Sequence, residues 1–297
     1  MTGETSGGSR AKGPRDPMAR ALALAQMGRY RTTPNPAVGA VLVKDGEIVG
    51  EGYHAGAGMA HAEVVALERA GARARGATLW VTLEPCCTRG RTGPCTERLL
   101  EAGVSEVRAA TLDPNPDIAG KGIERLRRAG VLVAVGEREA EAKELIREFA
   151  TWVTSGRPLV TLKFAMSLDG KVATSSGESQ WITSEPSRRR GHQLRRQHDA
   201  VMVGIGTVLA DDPQLTAREG SGDGGQPLRV VVDSQLRTPP GARILEAEGG
   251  PVLIATTEAA DRARGRSLVA AGAELLALPA VSGRVPLAAL LLALGGR

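Results

Sequence analysis

His61-Ala62-Glu63-Val64-Val65-Ala66-Leu67, followed by Thr78-Leu79-Trp80-Val81-Thr82-Leu83-Glu84-Pro85-Cys86 and then Pro94-Cys95, is the stretch around which the first half of this chain is organised. The apolar spacing from His61 to Ala70 predicts a helix with Val64, Val65 and Leu67 on its buried side. Thr78 to Leu83 reads as a short strand that delivers Glu84-Pro85-Cys86, and Cys95 to Ala102 as a second helix. One imidazole and two thiols form a zinc ligand set that leaves a fourth position for water, whose pKa falls from 15.7 to about 7 on the metal. His61 and Cys95 each begin a predicted helix, where the positive end of the helix dipole favours thiolates. Glu63 is spaced to lie beside the metal without ligating it. There it can take a proton from the zinc water and return it to a leaving amine, a role typically worth about 10²- to 10⁴-fold.

Outward from this stretch, strands and helices alternate. Asp16-Pro17 supplies an N-cap and a first-turn proline for a helix ending at Gly28. Val38–Val43 and Ile48–Tyr53 flank the turn Lys44-Asp45-Gly46-Glu47, a hairpin signal. Val104–Ala110 and Val131–Val135 read as strands around a helix from Gly120 to Ala129, and a helix from Glu137 to about Thr154 closes this half. The rhythm predicts a three-layer α/β domain over residues 15–154. Ser155-Gly156-Arg157-Pro158 reads as a linker. Beyond it, Leu159–Ala165, Ala200–Val203, Leu228–Val232 and Val252–Ala255 are the candidate strands of a second α/β domain over 158–297. Gly220–Gly225 is expected to be a flexible loop and residues 1–14 a disordered tail.

Composition narrows the function classes. The chain has 297 residues, a formal charge of +5 and 2% aromatic residues. The basic balance suits phosphate-bearing partners, while scarce aromatics argue against a base-stacking platform for single-stranded nucleic acid. The three cysteines all fall between Cys86 and Cys95, which reads as metal or catalysis in a reducing compartment rather than a disulfide framework. No stretch has the length and apolarity of a membrane span. A cytoplasmic enzyme acting on a small molecule is expected, with no nucleic-acid or membrane partner.

The H-x-E and P-C elements match the pattern of zinc deaminases, but that pattern closes with P-C-x-x-C. Here eight residues, Cys87 to Pro94, separate the two ligand thiols. A structural zinc site with Cys87 as fourth ligand is the plain alternative, and a deaminase of nucleic-acid bases is the catalytic one. A zinc-stabilised assembly partner without catalysis is disfavoured by the intact Glu63.

The longer spacer fits a specific resemblance. Thr33-Pro34-Asn35-Pro36-Ala37-Val38-Gly39, His61-Ala62-Glu63, Leu83-Glu84-Pro85-Cys86, Gly90-Arg91-Thr92-Gly93-Pro94-Cys95 and Asp113-Pro114-Asn115-Pro116 resemble the riboflavin-biosynthesis deaminase domain. Ser167-Leu168-Asp169-Gly170-Lys171, Gly177-Glu178-Ser179-Gln180-Trp181-Ile182-Thr183, the run from Gly204 to Pro213, and Val231-Val232-Asp233-Ser234 extend the likeness to the bifunctional pyrimidine deaminase/reductase family. That resemblance implies a cytidine-deaminase-like domain followed by a dihydrofolate-reductase-like domain. It implies zinc on His61, Cys86 and Cys95, Glu63 as proton shuttle, and Asn35 at the ring, with a structural turn role for Pro34-Asn35-Pro36 as the alternative. The substrate implied is 2,5-diamino-6-(5-phosphoribosylamino)pyrimidin-4-one, deaminated first and then reduced by NADPH at its ribose.

In the reductase half the resemblance implies NADPH contacts from Ala165, Trp181, Thr207, Asp211 and Ser234. Substrate contacts would come from Ser179, Arg195, Leu215 and Arg218, with Lys163 near the sugar. The rest of the Arg188–Arg196 run reads as a solvated helix face. Two departures stand out. Thr88 occupies a position where many relatives have histidine, which should leave zinc binding intact and alter ring recognition or rate. The chain stops at Leu294-Gly295-Gly296-Arg297, before the Glu-Gly-Gly segment of that family. On that ground the reductase half is expected to be C-terminally incomplete and weak, with the final helix, Leu287–Leu294, leaving an apolar face uncovered. Such an incomplete sheet would favour association, as in a homo-oligomer, or aggregation.

Overall fold

Alternation along β1 (Gly39–Lys44) sets the layering of the first half of the chain. Ala40 and Leu42 enter one apolar cluster, and Val41 and Val43 enter another on the opposite face, as the two-residue period of a strand requires. The structure, a computed structural model, describes residues 16–88, 93–218, 225–246 and 248–297. The expected tail and all but the last residue of the expected 220–225 loop lie outside the described residues. The chain divides into two units, Met1–Ser155 and Gly156–Arg297.

In the first unit five strands run in the order β2 (Glu47–Tyr53), β1, β3 (Thr78–Val81), β4 (Glu106–Ala109) and β5 (Leu132–Val135). The β2–β1–β3 pairs are antiparallel and the β3–β4–β5 pairs parallel. Helices α2 (Ala62–Ala70), α3 (Cys95–Ala102) and α4 (Lys121–Arg128) supply one face's core. Helices α1 (Pro17–Gly28) and α5 (Glu139–Leu145) supply the other. The result is the expected three-layer α/β arrangement. Asp16 caps α1 by accepting the Ala19 N–H at 2.8 Å. The β1–β2 hairpin turns on Asp45 and Gly46, at φ 51° and 81°, the positive values that tight two-residue turns need.

Two local expectations are corrected here. The buried side of α2 carries Ala62, Ala66 and Ala70, while Val64, Val65 and Leu67 are half-buried. The reason is the strand beneath it: a Cβ on Gly50 would stand 2.2 Å from the Ala66 carbonyl oxygen, and one on Gly52 2.7 Å from that of Ala62. The helix lies so close to β2 that the strand has room only for glycine there, Gly50 under Ala66 and Ala70 and Gly52 under Ala62 and Val65. The single helix expected over 137–154 is two, α5 and α6 (Arg147–Ser155), because Ile146 leaves helical geometry (φ −109°, ψ 15°) and buries its side chain at the break.

In the second unit β6 (Ala200–Gly204), β7 (Leu228–Val232), β8 (Val252–Thr257) and β9 (Ala273–Leu278) form a parallel sheet in sequence order. Helices α7 (Glu185–Arg196), α8 (Ile205–Asp211), α9 (Arg262–Ala270) and α10 (Leu287–Gly295) accompany it. Leu159–Ala165 is not a strand: among the described residues no strand pairs with it, so its apolar pattern has no sheet to join. Leu162 and Phe164 are exposed. The expectation that α10 leaves its apolar face uncovered is also corrected at its centre. Leu290 is fully buried in a cluster with Ala255 and Val285, although Leu287 and Leu292 stay exposed. Among the described residues no helix is long and apolar enough to cross a membrane.

The contact of α2 with β2 yields a direct test. Gly50→Ala forces a methyl into the Ala66 carbonyl and is expected to cost about 1–3 kcal/mol, the usual penalty of overpacking, read as a lower denaturant midpoint with unchanged m-value.

Candidate active site

Three elements bring the proposed ligands together. His61 is the residue before α2, Cys95 is the first residue of α3, and Cys86 lies in the loop leaving β3. Their ligand atoms all fall within 4.8 Å of one another. Two ligands of one tetrahedral zinc, at 2.0–2.3 Å from it, stand about 3.6 Å apart. His61 Nδ1 lies 3.2 Å from Cys95 Sγ and 3.6 Å from Cys86 Sγ. The donor set and its spacing therefore fit zinc with one position left open. Cys87 is half-buried and outside this group, so a fourth thiolate from the neighbouring residue is not part of it.

The loop carrying Cys86 is fastened by its neighbour. The buried carboxylate of Glu84 accepts four backbone N–H groups: Asp113 at 3.1 Å and Gly120 at 2.8 Å on Oε2, Gly122 at 2.8 Å and Ile123 at 3.2 Å on Oε1. Those of Gly122 and Ile123 lie in the first turn of α4, where helix donors lack an intrahelical partner. Gly122 is required for the approach, since a Cβ there would stand 2.1 Å from the Pro85 carbonyl. On the other side of the loop, the Cys95 N–H points at Cys86 Sγ, 3.4 Å away, and the Thr96 N–H donates to the Cys86 carbonyl at 3.2 Å.

The four titratable side chains share protons tightly. Cys86 is pulled down to about 4, first by the hydrogen bond it receives from the Cys95 thiol and then by His61. Cys95 is pushed up for the complementary reason, as the donor to a thiolate, and by burial. The Cys86 hydrogen bond raises His61. Burial lifts Glu63 to about 7, with the Cys86 thiolate adding to the effect. A carboxyl poised near neutrality is what a proton shuttle working in both directions requires.

His61, Glu63 and Cys86 open on a cavity of about 470 Å³ also lined by Asn35, His54, Thr88, Asp113 and Phe149 among others. Thr88 thus lies at the cavity and outside the three-ligand group. Sequence reading takes His54 as an ordinary surface or core histidine, gives Glu84 no role beyond its place beside Pro85-Cys86, and does not reach Phe149. Nothing in their spacing marks them: Glu84 acts through backbone groups far along the chain, and His54 and Phe149 reach the cavity by the course of β2 and α6.

The second unit assembles only part of its expected site. Arg195 Nη1 donates to the Thr216 carbonyl at 3.1 Å, and Arg218 Nε lies 3.5 Å from Thr216 Oγ1. Burial and the nearby Arg218 charge lower the pKa of Arg195, so two cations meet at this place. Leu215 is buried between them in sequence at φ 56°. Buried Arg229 steadies that segment through the Gln214 carbonyl at 3.2 Å. Thr207 lies in α8 just after β6, and Asp211 ends that helix. Ser234 follows β7, and its hydroxyl accepts the Val285 N–H at 3.0 Å. Thr207 and Ser234 therefore follow the carboxyl ends of paired parallel strands. Ala165, Lys163, Ser179 and Trp181 sit on irregular backbone, with Trp181 exposed and stacked under Arg188 at 4.4 Å. Among the described residues those four share no strand pairing with β6 or β7.

The comparisons with known proteins agree with this division. The family described as the cytidine and deoxycytidylate deaminase zinc-binding region matches residues 14–111, and the RibD C-terminal domain matches residues 158–297. The chain is 51% identical over 246 residues to the riboflavin biosynthesis protein RibD of Aquifex aeolicus, covering 83% of this chain and 69% of that one. Among solved structures it resembles Acinetobacter baumannii RibD with a TM-score of 0.83 at 42% identity, covering 94% of this chain and 76% of that one. A diaminohydroxyphosphoribosylaminopyrimidine deaminase/5-amino-6-(5-phosphoribosylamino)uracil reductase from Thermotoga maritima gives 0.81 at 42% identity, covering 95% and 77%.

Two outcomes are expected at this site. Zinc must displace the proton held by Cys95 and compete with the raised affinity of His61 for its own. Zinc affinity should therefore rise with pH, by about tenfold per unit for each proton released, as chelator competition at pH 6.5 and 8 would read. Glu84→Gln replaces one acceptor oxygen by a donor facing N–H groups. It should cost about 1–3 kcal/mol in unfolding free energy and speed zinc loss to a chelator.

Proposed function

The chain belongs to the RibD family of riboflavin biosynthesis proteins, and we propose that it carries both chemical steps of that family's bifunctional enzyme. Residues 15–154 would deaminate 2,5-diamino-6-(5-phosphoribosylamino)pyrimidin-4-one hydrolytically, and residues 158–297 would reduce its ribosyl group to ribityl with NADPH. The observation that carries the reading is the His61, Cys86 and Cys95 group with the buried Glu63 carboxyl beside it, at the cavity.

His61, Cys86 and Cys95 would hold zinc, which when bound supplies a Lewis acid and an activated water for displacing an amine. Glu63 moves the protons. One carboxylate oxygen accepts the proton of the attacking water as the new C–O bond forms. The same carboxyl then donates it to the amine nitrogen as the C–N bond breaks and ammonia leaves. Burial serves this exchange, because a carboxyl raised to about 7 gives and takes a proton with little bias at neutral pH. Asn35 contacts the ring, and Thr88 shapes the same wall.

In the second unit, Ser179, Arg195, Leu215 and Arg218 are the substrate contacts, and the two arginines pair with its phosphate. Two guanidinium groups converging on Thr216 favour an anion that neutralises both. Ala165, Trp181, Thr207, Asp211 and Ser234 are the NADPH contacts, and Lys163 lies near the reacting sugar. The carboxyl ends of parallel strands are where open α/β sheets bind ligands, which supports Thr207 and Ser234. Held by these residues, NADPH would supply the hydride for the reduction. Thiol ligands suit the cytoplasm, where they stay reduced.

The test is a coupled assay on zinc-loaded protein with the diaminopyrimidine substrate, following ammonia release and NADPH absorbance together. Both signals are expected: the RibD C-terminal domain match over residues 158–297 favours a working second step over the weak reductase that the sequence suggested. Ammonia release without NADPH consumption would keep the first step and remove the second. Glu63→Gln should lower ammonia release about 10²- to 10⁴-fold with the zinc content unchanged.

A further inference from the structure

We propose that His54 is a positioning residue for the deamination site: its Nδ1–H tautomer turns the Asn35 amide so that Asn35 Oδ1 faces the cavity as an acceptor for an N–H donor of the substrate ring. The inference rests on the deaminase reading and adds to it the direction of a specificity contact.

The argument is one of donors and acceptors. His54 is almost fully buried, and each ring nitrogen has one neighbour. Nδ1 lies 3.1 Å from the Ala60 carbonyl oxygen, and Nε2 lies 3.0 Å from Asn35 Nδ2. A carbonyl can only accept, so Nδ1 must carry the proton. A neutral imidazole carries one proton, which leaves a lone pair on Nε2. That lone pair needs a donor, and the only donor on the Asn35 side chain is its NH₂ group. The amide oxygen is thereby turned away from His54. Asn35 lines the cavity, and its Oδ1 makes no hydrogen bond among the described residues.

Backbone contacts keep both partners in register. The His54 N–H donates to the Val38 carbonyl at 2.9 Å, and the Asn35 N–H donates to the Thr32 carbonyl at 2.7 Å. Gly28 lets α1 close on this segment, since a Cβ there would stand 2.3 Å from the His54 carbonyl. Without the imidazole, nothing would choose between the two orientations of the amide. A flipped amide presents NH₂ to the cavity and matches a ring that offers a carbonyl instead. The Ala60 carbonyl, through His54, therefore selects a ring edge that offers an N–H over one that offers only an acceptor.

The first test is ¹⁵N NMR of the full, zinc-loaded chain labelled at histidine, with the His54 signals assigned by their loss in His54→Phe. A protonated Nδ1 with an unprotonated Nε2 is expected, and the opposite tautomer overturns the proposal. The second is a double-mutant cycle of His54→Phe and Asn35→Ala, with deamination kinetics and zinc content measured for each. Each single variant should lower kcat/KM by roughly tenfold, chiefly through KM, and the double variant should be no worse than Asn35→Ala alone. Full additivity, or loss of zinc from His54→Phe, would assign His54 another role and overturn the proposal. Absence of deamination by the unmodified chain would instead sink the deaminase reading, while the NMR result still decides the tautomer.

Discussion

The Glu84 carboxylate is where separate parts of the first unit are tied together. It sits between the end of β3 and Pro85-Cys86, and its two oxygens accept backbone N–H groups from the Asp113 turn, from Gly120 and from the first turn of α4. Two of these donors would otherwise be orphans at a helix start, and a carboxylate there also meets the positive end of the helix dipole. The interaction thus completes α4 and fixes the metal-ligand loop at once. Gly122 makes it sterically accessible. Asp113 brings its side chain to the cavity wall as part of the same arrangement.

Once the loop is fixed, the chemistry follows from burial. Four titratable groups gather at the starts of α2 and α3 and in the loop after β3, in space too small for each to keep its solution behaviour. One thiol becomes a thiolate, its neighbour holds the proton, and the carboxyl beside them is lifted towards neutrality. The same crowding that makes this cluster costly without a metal makes it a fit for a divalent cation, whose charge offsets the buried thiolates. The close seat of α2 on Gly50 and Gly52 is what brings His61 and Glu63 into reach of the loop.

The second unit works by a different constraint. Its parallel strands place the ends of β6 and β7 side by side, and the residues that follow them, Thr207 and Ser234, inherit that adjacency. Arg195 and Arg218 reach a common neighbour, Thr216, from a helix and from an irregular segment that Arg229 anchors. The segment 159–184 contributes Ala165, Ser179 and Trp181 without strand pairing among the described residues, so local backbone alone does not bring them to the residues after β6 and β7.

Much of this was legible in the chain itself. The Asp16-Pro17 start, the Asp45-Gly46 hairpin, the Cys95 helix and the zinc ligand set depend on residue type and short spacing, which sequence records directly. The apolar run Val64, Val65 and Leu67 misled about the buried side of α2, because its burial is set by two glycines on another strand. Leu159–Ala165 has the composition of a strand but not a partner, and a strand exists only as a pair. Glu84, His54 and Phe149 had no sequence signature, since their roles are defined by groups brought near through folding. Sequence alone determined which side chains could bind a metal and carry a proton. The tertiary structure decided which of them come within reach of one another and in which direction burial shifts each one's hold on its proton, because those properties depend on distances and burial that no residue possesses by itself.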